Sequence, residues 1–598
     1  MDQEVRLYEN IEIPMRDRVI LRADLYRPDT EEALPAILLR LPYGKDEFRT
    51  EGAGIYSPRF YAAHGYNVII QDCRGFHHSD GVPDPGGKNE PEDGYDTIEW
   101  IAAQPFCDGN VGTFGLSFFG YVQLAAAATN PPHLKCICPF ECSAARPPFV
   151  NANGSYAPYH LTWLYNAADD QVRKLQVSDE ERARIQQAVD ENRPTLMDQV
   201  IRIHPWPKMP ALNIPGFSFF DEYMESVDGT NDPSYWEAHG YPLDIEKMPY
   251  PVFLATGWND HVRNQEMDNY VRFRAFHHND TGKVRLVIGP WAHGQSMSAV
   301  VGETDYGAEN AGTEMGLMTL LLHFFDRWLK GREDAMQDDP PVYYYTLHEN
   351  VWREASVWPP EGIETKRLYF SSAGQAAADM EDGRLLTEKE TAGLREENGQ
   401  DAEAGDSAKS CGAAEASEDT FVHDPLNPVP SELPGVFKMN GDFAEVQTRP
   451  DVVTYTSEPA EKPLLMTGPV SASVWFSTDA DDGDLYIRLS DVSPEGRAVR
   501  ITSGELRLRY RNSLFTPEYV TPGEAACYEI PMGDISYLLT PGHRLRIDIA
   551  GSAFPYADPN PGTKAPTGRG ETVRRAVHRI LHDGAHPSFV SVPVMKNG

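Results

Sequence analysis

The stretch "GNVGTFGLSFFGYVQLAAAA", residues 109–128, changes character in its middle. Up to Leu116 it is apolar and punctuated by glycine, as in a buried strand. From Phe118 onward it becomes Ala-rich, as in a helix packed among other elements. One serine, Ser117, stands at the junction, with Gly115 before it and Gly120 after it. A strand, a tight turn and a helix with serine at the turn is the arrangement of a nucleophile elbow. The glycines let strand and helix approach, and the hydroxyl projects from the sheet's C-terminal edge. The helix N-terminus offers free N–H groups and a positive dipole end to a developing oxyanion. The spacing is G-x-S-x-x-G and not the commoner G-x-S-x-G, because Phe119 takes the near position. A serine that only caps a core helix would give the same letters, so the flanking sequence has to decide.

On both sides lie short, continuous apolar runs: "LPAILLRLPYG" (34–44), "YNVIIQDCRG" (66–75) and "LKCICPF" (134–140). "YDTIEWIAAQ" (95–104) has helical spacing, with Ile98, Ile101 and Ala102 on one side. Apolar strands alternating with helices predict a parallel sheet covered on both faces. Near residue 146 the pattern stops. Residues 146–245 are rich in aromatics, Pro and helical runs such as "DEERARIQQAVDEN", and predict a helical insertion. Strands resume with "YPVFLATGW" (250–258) and "KVRLVIGPW" (283–291). The helix "GLMTLLLHFFDRWLKG" follows and ends on Gly331 in a C-cap position. Past about residue 340, runs such as "VYYYTL" (342–347), "DLYIRLSDV" (484–492) and "HRLRIDIAGS" (543–552) are short and alternating, as in an antiparallel β-sandwich. Residues 373–420, rich in Ala, Glu, Asp and Gly, predict an exposed loop or partly disordered acidic insertion.

A serine needs a base, and the base needs an orienting carboxylate. The two later strands each end in a candidate. "VFLATGWND" delivers Asp260, and "LVIGPWAHG" delivers His293. An Asp after a strand is often a turn former, and a lone His in a Trp-Ala-His-Gly loop is often structural. Here all three groups come in the order Ser, acid, His, each at a strand's C-terminal end, as in α/β-hydrolases. Asn259 adjoins Asp260 but carries no charge to stabilise an imidazolium.

The bulk properties narrow the field. With 598 residues the chain exceeds one hydrophobic core. Its 41% hydrophobic and 24% charged residues read as globular. A formal net charge of -37 makes nucleic acid and anionic membrane poor partners. No apolar run reaches the ~18–20 residues that span a bilayer, and the N-terminus has no signal-peptide pattern. Seven cysteines, with Cys136 and Cys138 alternating in a strand, read as reduced core thiols and suggest the cytoplasm. Neither the cysteines nor the pairs His77–His78 and His277–His278 have metal-ligand spacing, so no metal or cofactor is expected. In "DCRGFHHSDG" (72–81) Asp72 and Arg74 are candidates for a buried ion pair.

Taken together, "GNVGTFGLSFFG", "DCRGFHHSDG", "EDGYDTIEWIAAQPFCDG", "GWND", "GPWAHG" and "FFDRWLKG" resemble the CocE/NonD hydrolases, the group of cocaine esterase, α-amino-acid ester hydrolases and X-Pro dipeptidyl-peptidases. The C-terminal "DLYIRLSDVSPEGRAVRITSGELRLRYR" and "GSAFPYADPNPGT" look like that family's jelly roll. Phe118 stands where the family usually has Tyr, but only a backbone N–H is required there. The resemblance implies an α/β-hydrolase fold over 1–145 and 246–345, a helical cap over 146–245 and a jelly-roll sandwich over 346–598. It also implies that Tyr43, in "LRLPYGKDE", gives its hydroxyl to the oxyanion hole beside the Phe118 N–H. Glu303, Asp305 and Glu309 follow His293, but they do not match the carboxylate cluster expected of amino-acid ester hydrolases and read as solvated loop charges.

The expected activity is hydrolysis of ester or amide bonds in small acyl substrates through an acyl-enzyme on Ser117. An aminoacyl ester or β-lactam acylase and an X-Pro dipeptidyl-peptidase are the alternatives. The peptidase is the weaker of the two, because the first strand, "VRLYENIEI", comes almost at once. An inactive binding protein is disfavoured by the presence of Ser117, Asp260 and His293. Aromatic residues of the insertion (Tyr159, Trp163, Tyr165, Phe217, Phe219 and Phe220) are candidates either for a substrate lining or for the cap's own core. A homo-oligomer is compatible with the sequence but not specified by it.

Overall fold

The computed structural model describes residues 4–49, 51–83, 86–143, 151, 154–239, 245–294, 298–391, 418–431 and 441–596. Its N-terminal part is built on a ten-stranded sheet. The strands are β1 (Val5–Pro14), β2 (Ile20–Pro28), β3 (Leu34–Leu41), β4 (Asn67–Asp72), β5 (Cys107–Leu116), β6 (Leu134–Phe140), β7 (Val252–Asn259), β8 (Val284–Ala292), β11 (Val342–Thr346) and β12 (Val351–Ala355); the pair β9 (Val300–Val301) and β10 (Thr304–Asp305) forms a separate ribbon. The order is β1-β2-β4-β3-β5-β6-β7-β8-β11-β12. From β4 to β11 every neighbouring pair is parallel, and antiparallel strands close both edges. Strands β4, β7 and β8 are buried along their whole length, which is why they read as unbroken apolar runs.

Helices α1 (Pro58–Ala63), α2 (Glu90–Ala102) and α3 (Ser117–Ala128) lie in the crossovers of the first half of the sheet. The buried α3 approaches α2 so closely that a Cβ on Gly94 would lie 2.5 Å from that of Ala126. The small residues of "LAAAA" therefore serve close helix packing. The insertion is helical, as expected. It carries α4 (Tyr159–Lys174), α5 (Asp179–Asn192), α6 (Leu196–Arg202), α7 (Asp221–Gly229) and α8 (Pro233–Ala238). Ser178 caps α5 by accepting the Glu181 N–H. The chain then re-enters the sheet at β7, followed by α9 (Arg263–Phe276) and, after β8, α10 (Leu317–Leu329).

The C-terminal part is all-β, with eleven strands that are antiparallel to their neighbours almost throughout. Arg507 is buried between Asp484 (2.8 Å) and Asp558 (3.0 Å), and Asp558 also accepts the Tyr156 N–H at 2.8 Å. This charged knot ties the sandwich to the insertion and specifies the seating of one on the other.

Two expectations need correction. "VYYYTL" does not open the sandwich: Val342–Tyr344 pairs in parallel with Leu286–Ile288 of β8, so the N-terminal sheet runs on to Ala355. Four of the five residues of Val342–Thr346 are buried, as in an inner strand. The acidic segment is not an exposed loop throughout. Arg384–Thr387 pairs with Leu368–Ser371, and Ala376 is buried. The stretch 392–417 lies outside the described residues. Among the described residues no helix is long and apolar enough to cross a membrane.

Candidate active site

Register gathers the site. Leu116 at the end of β5 pairs with Phe140 at the end of β6. A shift after Gly257 then pairs Asn259 of β7 with Ala292 of β8. The next residues, Ser117, Glu141, Asp260 and His293, therefore leave four adjacent strands at one C-terminal edge.

At this edge the backbone is forced. Ser117 has φ 54, a left-handed conformation rare for a residue with a side chain. A Cβ on Gly115 would lie 2.1 Å from the Phe119 ring, and one on Gly120 would lie 2.7 Å from the Phe140 carbonyl oxygen. Glycine is required at both places for strand and helix to meet.

The His293 Nε2 is 2.9 Å from the Ser117 Oγ, and its Nδ1 is 3.0 Å from the Asp260 Oδ1. Asp260 is buried and held by the Val262 N–H and the Thr256 hydroxyl. Desolvation pushes its carboxyl up, but His293, His261 and the Val262 N–H outweigh it and hold it below the ordinary range. Desolvation would depress His293. The Asp260 carboxylate, with Glu141 behind it, wins and raises the imidazole to about 9. Asn259 turns away and donates to the Pro290 carbonyl, in line with the preference for Asp260.

Tyr43 stands over the same point. Its phenol engages the Trp163 side chain, the Ser117 hydroxyl and the Phe118 N–H, and its ring meets Phe119 edge-on at 6.0 Å. Although 37% of Tyr43 is open to the cleft, desolvation dominates at the phenol and holds its pKa above 10.0. Phe118 stacks on Trp163 (5.8 Å), and Trp163 stacks on His160 (5.3 Å).

The other aromatic residues of the insertion divide. Tyr165 stacks on Phe220 at 4.5 Å, and Phe217 and Phe219 pack on the same ring, so these four form the insertion's own core. Trp163 meets the Tyr43 phenol, and Tyr159 meets His261 edge-on at 5.2 Å.

Several sequence candidates lie elsewhere. Arg74 pairs with Asp93 (2.6 Å) and Asp17 (2.7 Å), not with Asp72. Asp72 instead accepts the Lys45 and His78 N–H groups and shapes the loop behind Tyr43. The strand β4 ends at Asp72 and Arg74 lies in the turn beyond it, so the alternation of a strand does not carry over from one to the other. His77 bonds to the Pro42 carbonyl, His78 to Asp46 and His277 to the Tyr250 carbonyl. Glu303, Asp305 and Glu309 are exposed, and Glu303 pairs with Arg497. Among the described residues the one grouping of metal-type donors is Asp260, His261 and His293. Two of its members already bond to each other, so an ion there would have to break that hydrogen bond.

The sequence reading missed two residues. His261 lies with its ring 4.4 Å from that of His293. Glu141, buried, has its Oε2 3.5 Å from the His293 Nδ1 and accepts the Gly294 N–H at 2.6 Å. The signal for Glu141 was its place: it follows a central strand directly, as Ser117, Asp260 and His293 do.

A largely parallel sheet with crossover helices, an elbow serine and a histidine in contact with it define an α/β-hydrolase. Residues 17–295 match the family model of the X-Pro dipeptidyl-peptidase (S15 family), and residues 334–591 match that of the X-Pro dipeptidyl-peptidase C-terminal non-catalytic domain. The chain is 30% identical to the cocaine esterase of a Rhodococcus species, over 100% of both chains. It superposes with a TM-score of 0.75 and 22% identity on an aminopeptidase from a marine sediment archaeon, Thaumarchaeota archaeon, over 100% of this chain and 97% of that one. An α-amino acid ester hydrolase gives the same TM-score and identity over 99% and 97%. The chain belongs to the CocE/NonD hydrolases and is a hydrolase of ester or peptide bonds.

Proposed function

We propose that this protein is a serine esterase that cleaves small carboxylic esters through an acyl-enzyme. The observation that carries the reading is the continuous hydrogen-bonded line from the Ser117 Oγ through His293 to Asp260. His293 takes the Ser117 proton on Nε2 as Oγ attacks the ester carbonyl. Asp260 holds the Nδ1–H tautomer and stabilises the imidazolium. The oxyanion receives the Tyr43 hydroxyl and the Phe118 N–H. Collapse expels the alcohol, protonated by His293. A water molecule then gives its proton to the same nitrogen, attacks the acyl carbon and frees Ser117 and the carboxylic acid.

An aromatic or bulky apolar acyl group is the substrate class that fits best, because the Phe118–Trp163–His160 stack lies beside Tyr43. Such a group would gain roughly 25 cal/mol per Å² buried. The name of the cocaine esterase relative fits an ester substrate. The exposed Glu303, Asp305 and Glu309 offer no buried clamp for an α-ammonium.

Ser117→Ala is expected to abolish turnover of a 4-nitrophenyl ester and labelling by a serine-reactive phosphonate, with the circular dichroism unchanged. Retained turnover at the wild-type rate, or phosphonate attached to another residue, would defeat the assignment. A substrate panel of aryl esters, anilides and X-Pro peptides ranks the class.

A further inference from the structure

Between the strand that delivers Ser117 and the strand that delivers Asp260 lies β6, and its end delivers a second carboxyl. Glu141 has φ 49, the same left-handed region as Ser117 and a strained one for a side-chain-bearing residue. Its backbone N–H is fixed to the Ala255 carbonyl of β7, and its side chain is buried. The Oε2 accepts the Gly294 N–H at 2.6 Å, so it grips the loop just after His293, and it stands 3.5 Å from the His293 Nδ1. A solvated loop charge would not take up strain and burial to reach that point.

We propose that Glu141 is a positioning residue for His293: it anchors the histidine loop through Gly294 and, by keeping or losing its own proton, governs how readily His293 accepts one. The inference rests on the esterase reading of Ser117 and His293. The groups that face Glu141 are Asp260 and His293 from the neighbouring strand ends, Glu266 from α9 and the adjoining Cys142 thiol; His261 packs on His293 and Asp260, and Tyr159 packs on His261. Glu266 accepts the Cys142 N–H at 3.2 Å, and burial holds it neutral.

Glu141 is likewise pushed up to about 8, by desolvation first and the Asp260 charge second, with His293 opposing. Glu141 and His293 thus compete for one proton between two carboxylates. The tautomer with the proton on Glu141 leaves His293 free to act as a base. The tautomer with the proton on His293 is an ion pair that cannot take the Ser117 proton. Loss of the remaining proton restores the base. Such a pair titrates in two overlapping steps.

The test is the pH profile of kcat/KM for a neutral aryl ester, run on wild type and Glu141→Gln. Glutamine keeps an acceptor for Gly294 and cannot ionise. Its acid limb is expected to become a single ionisation displaced to lower pH by about one unit, which is about tenfold in the fraction of active base at a given pH on that limb. The wild-type limb is expected to be shallower and to need two ionisations. The wild-type rate of phosphonate labelling at Ser117, followed against pH, reads the same two steps without any substitution. A Glu141→Gln limb coincident with wild type overturns the proposal, whatever happens to kcat, and so does a wild-type limb described by one ionisation. If Ser117→Ala retains turnover, the underlying esterase reading fails instead, so the two failures are distinguishable.

Discussion

Tyr43→Phe deletes one oxygen atom and leaves the ring that packs edge-on against Phe119. The lost hydroxyl is the one that engages Ser117 and the Phe118 N–H. For it to donate to an oxyanion it must be neutral through the working range. Burial, which raises the phenol above its ordinary 10.0, keeps it so. A ground-state ester carbonyl makes a weak hydrogen bond with such a donor, and the tetrahedral oxyanion makes a strong one. The loss should therefore fall on kcat and spare KM. Removing one preorganised donor costs about 10²–10³ in rate, or about 2.7–4 kcal/mol. The Phe118 N–H remains, so turnover should stay above that of Ser117→Ala. The assay is steady-state hydrolysis of a 4-nitrophenyl ester, with thermal unfolding as a control for the Trp163 contact. A kcat within about threefold of wild type would refute the placement of Tyr43 in the oxyanion hole, and so would a rise in KM at constant kcat.

Gly120→Ala places a Cβ 2.7 Å from the Phe140 carbonyl oxygen, at the joint between α3 and β6. Backbone cannot retreat as a side-chain tip can, so the variant should lose about 1–3 kcal/mol in denaturant unfolding despite alanine's better helix propensity; an unchanged midpoint would contradict the close approach. Although desolvation favours the neutral imidazole, Asp260 and Glu141 raise His293 to about 9, and only the neutral form can act as a base. The kcat/KM for an uncharged ester should therefore still be climbing at about pH 7.5, and a plateau reached at about pH 6.5 would contradict that balance of charges.

The elbow was legible because its parts are local. Gly115, Ser117 and Gly120 sit within one turn of chain, and each meets a steric demand that can be stated without knowing the rest of the fold. Asp260 and His293 were legible for a related reason: each follows a fully buried strand, and such strands advertise themselves as apolar runs. Tyr43 was not legible from spacing. It lies on a loop whose shape depends on Asp72 holding the Lys45 and His78 N–H groups, and its place in the site came from resemblance alone. The β11 run was misassigned because a short run of Val, Tyr and Thr suits an inner strand of a largely parallel sheet as well as a sandwich strand. The insertion's aromatics could not be sorted by composition. Trp163 and Tyr165 are two residues apart on α4, so they point to different faces: one stacks on Phe118 and the other on Phe220.

Glu141 shows why order along the chain and order along the edge of a sheet are different information. In sequence the proposed acid, Asp260, lies far from Ser117 and closer to His293. In space β6 lies between β5 and β7, so the residue after β6 must fall between Ser117 and Asp260 whatever its identity. A small or apolar residue there would leave Asp260 alone beside the imidazole. A carboxyl there adds to the field that draws a proton onto His293, unless it holds a proton of its own. Burial supplies that condition, since desolvation and the neighbouring Asp260 charge both favour the protonated Glu141. The same burial makes the residue costly for folding. An unfolded chain releases the Glu141 proton near 4.5, whereas the folded chain holds it to about 8. The stability tied to that proton is complete below about pH 4.5 and is lost as pH rises through about 8. A residue that costs stability in the range where its neighbours work, and that also occupies a left-handed backbone position, is better explained by what it does to His293 than by what it does for the core.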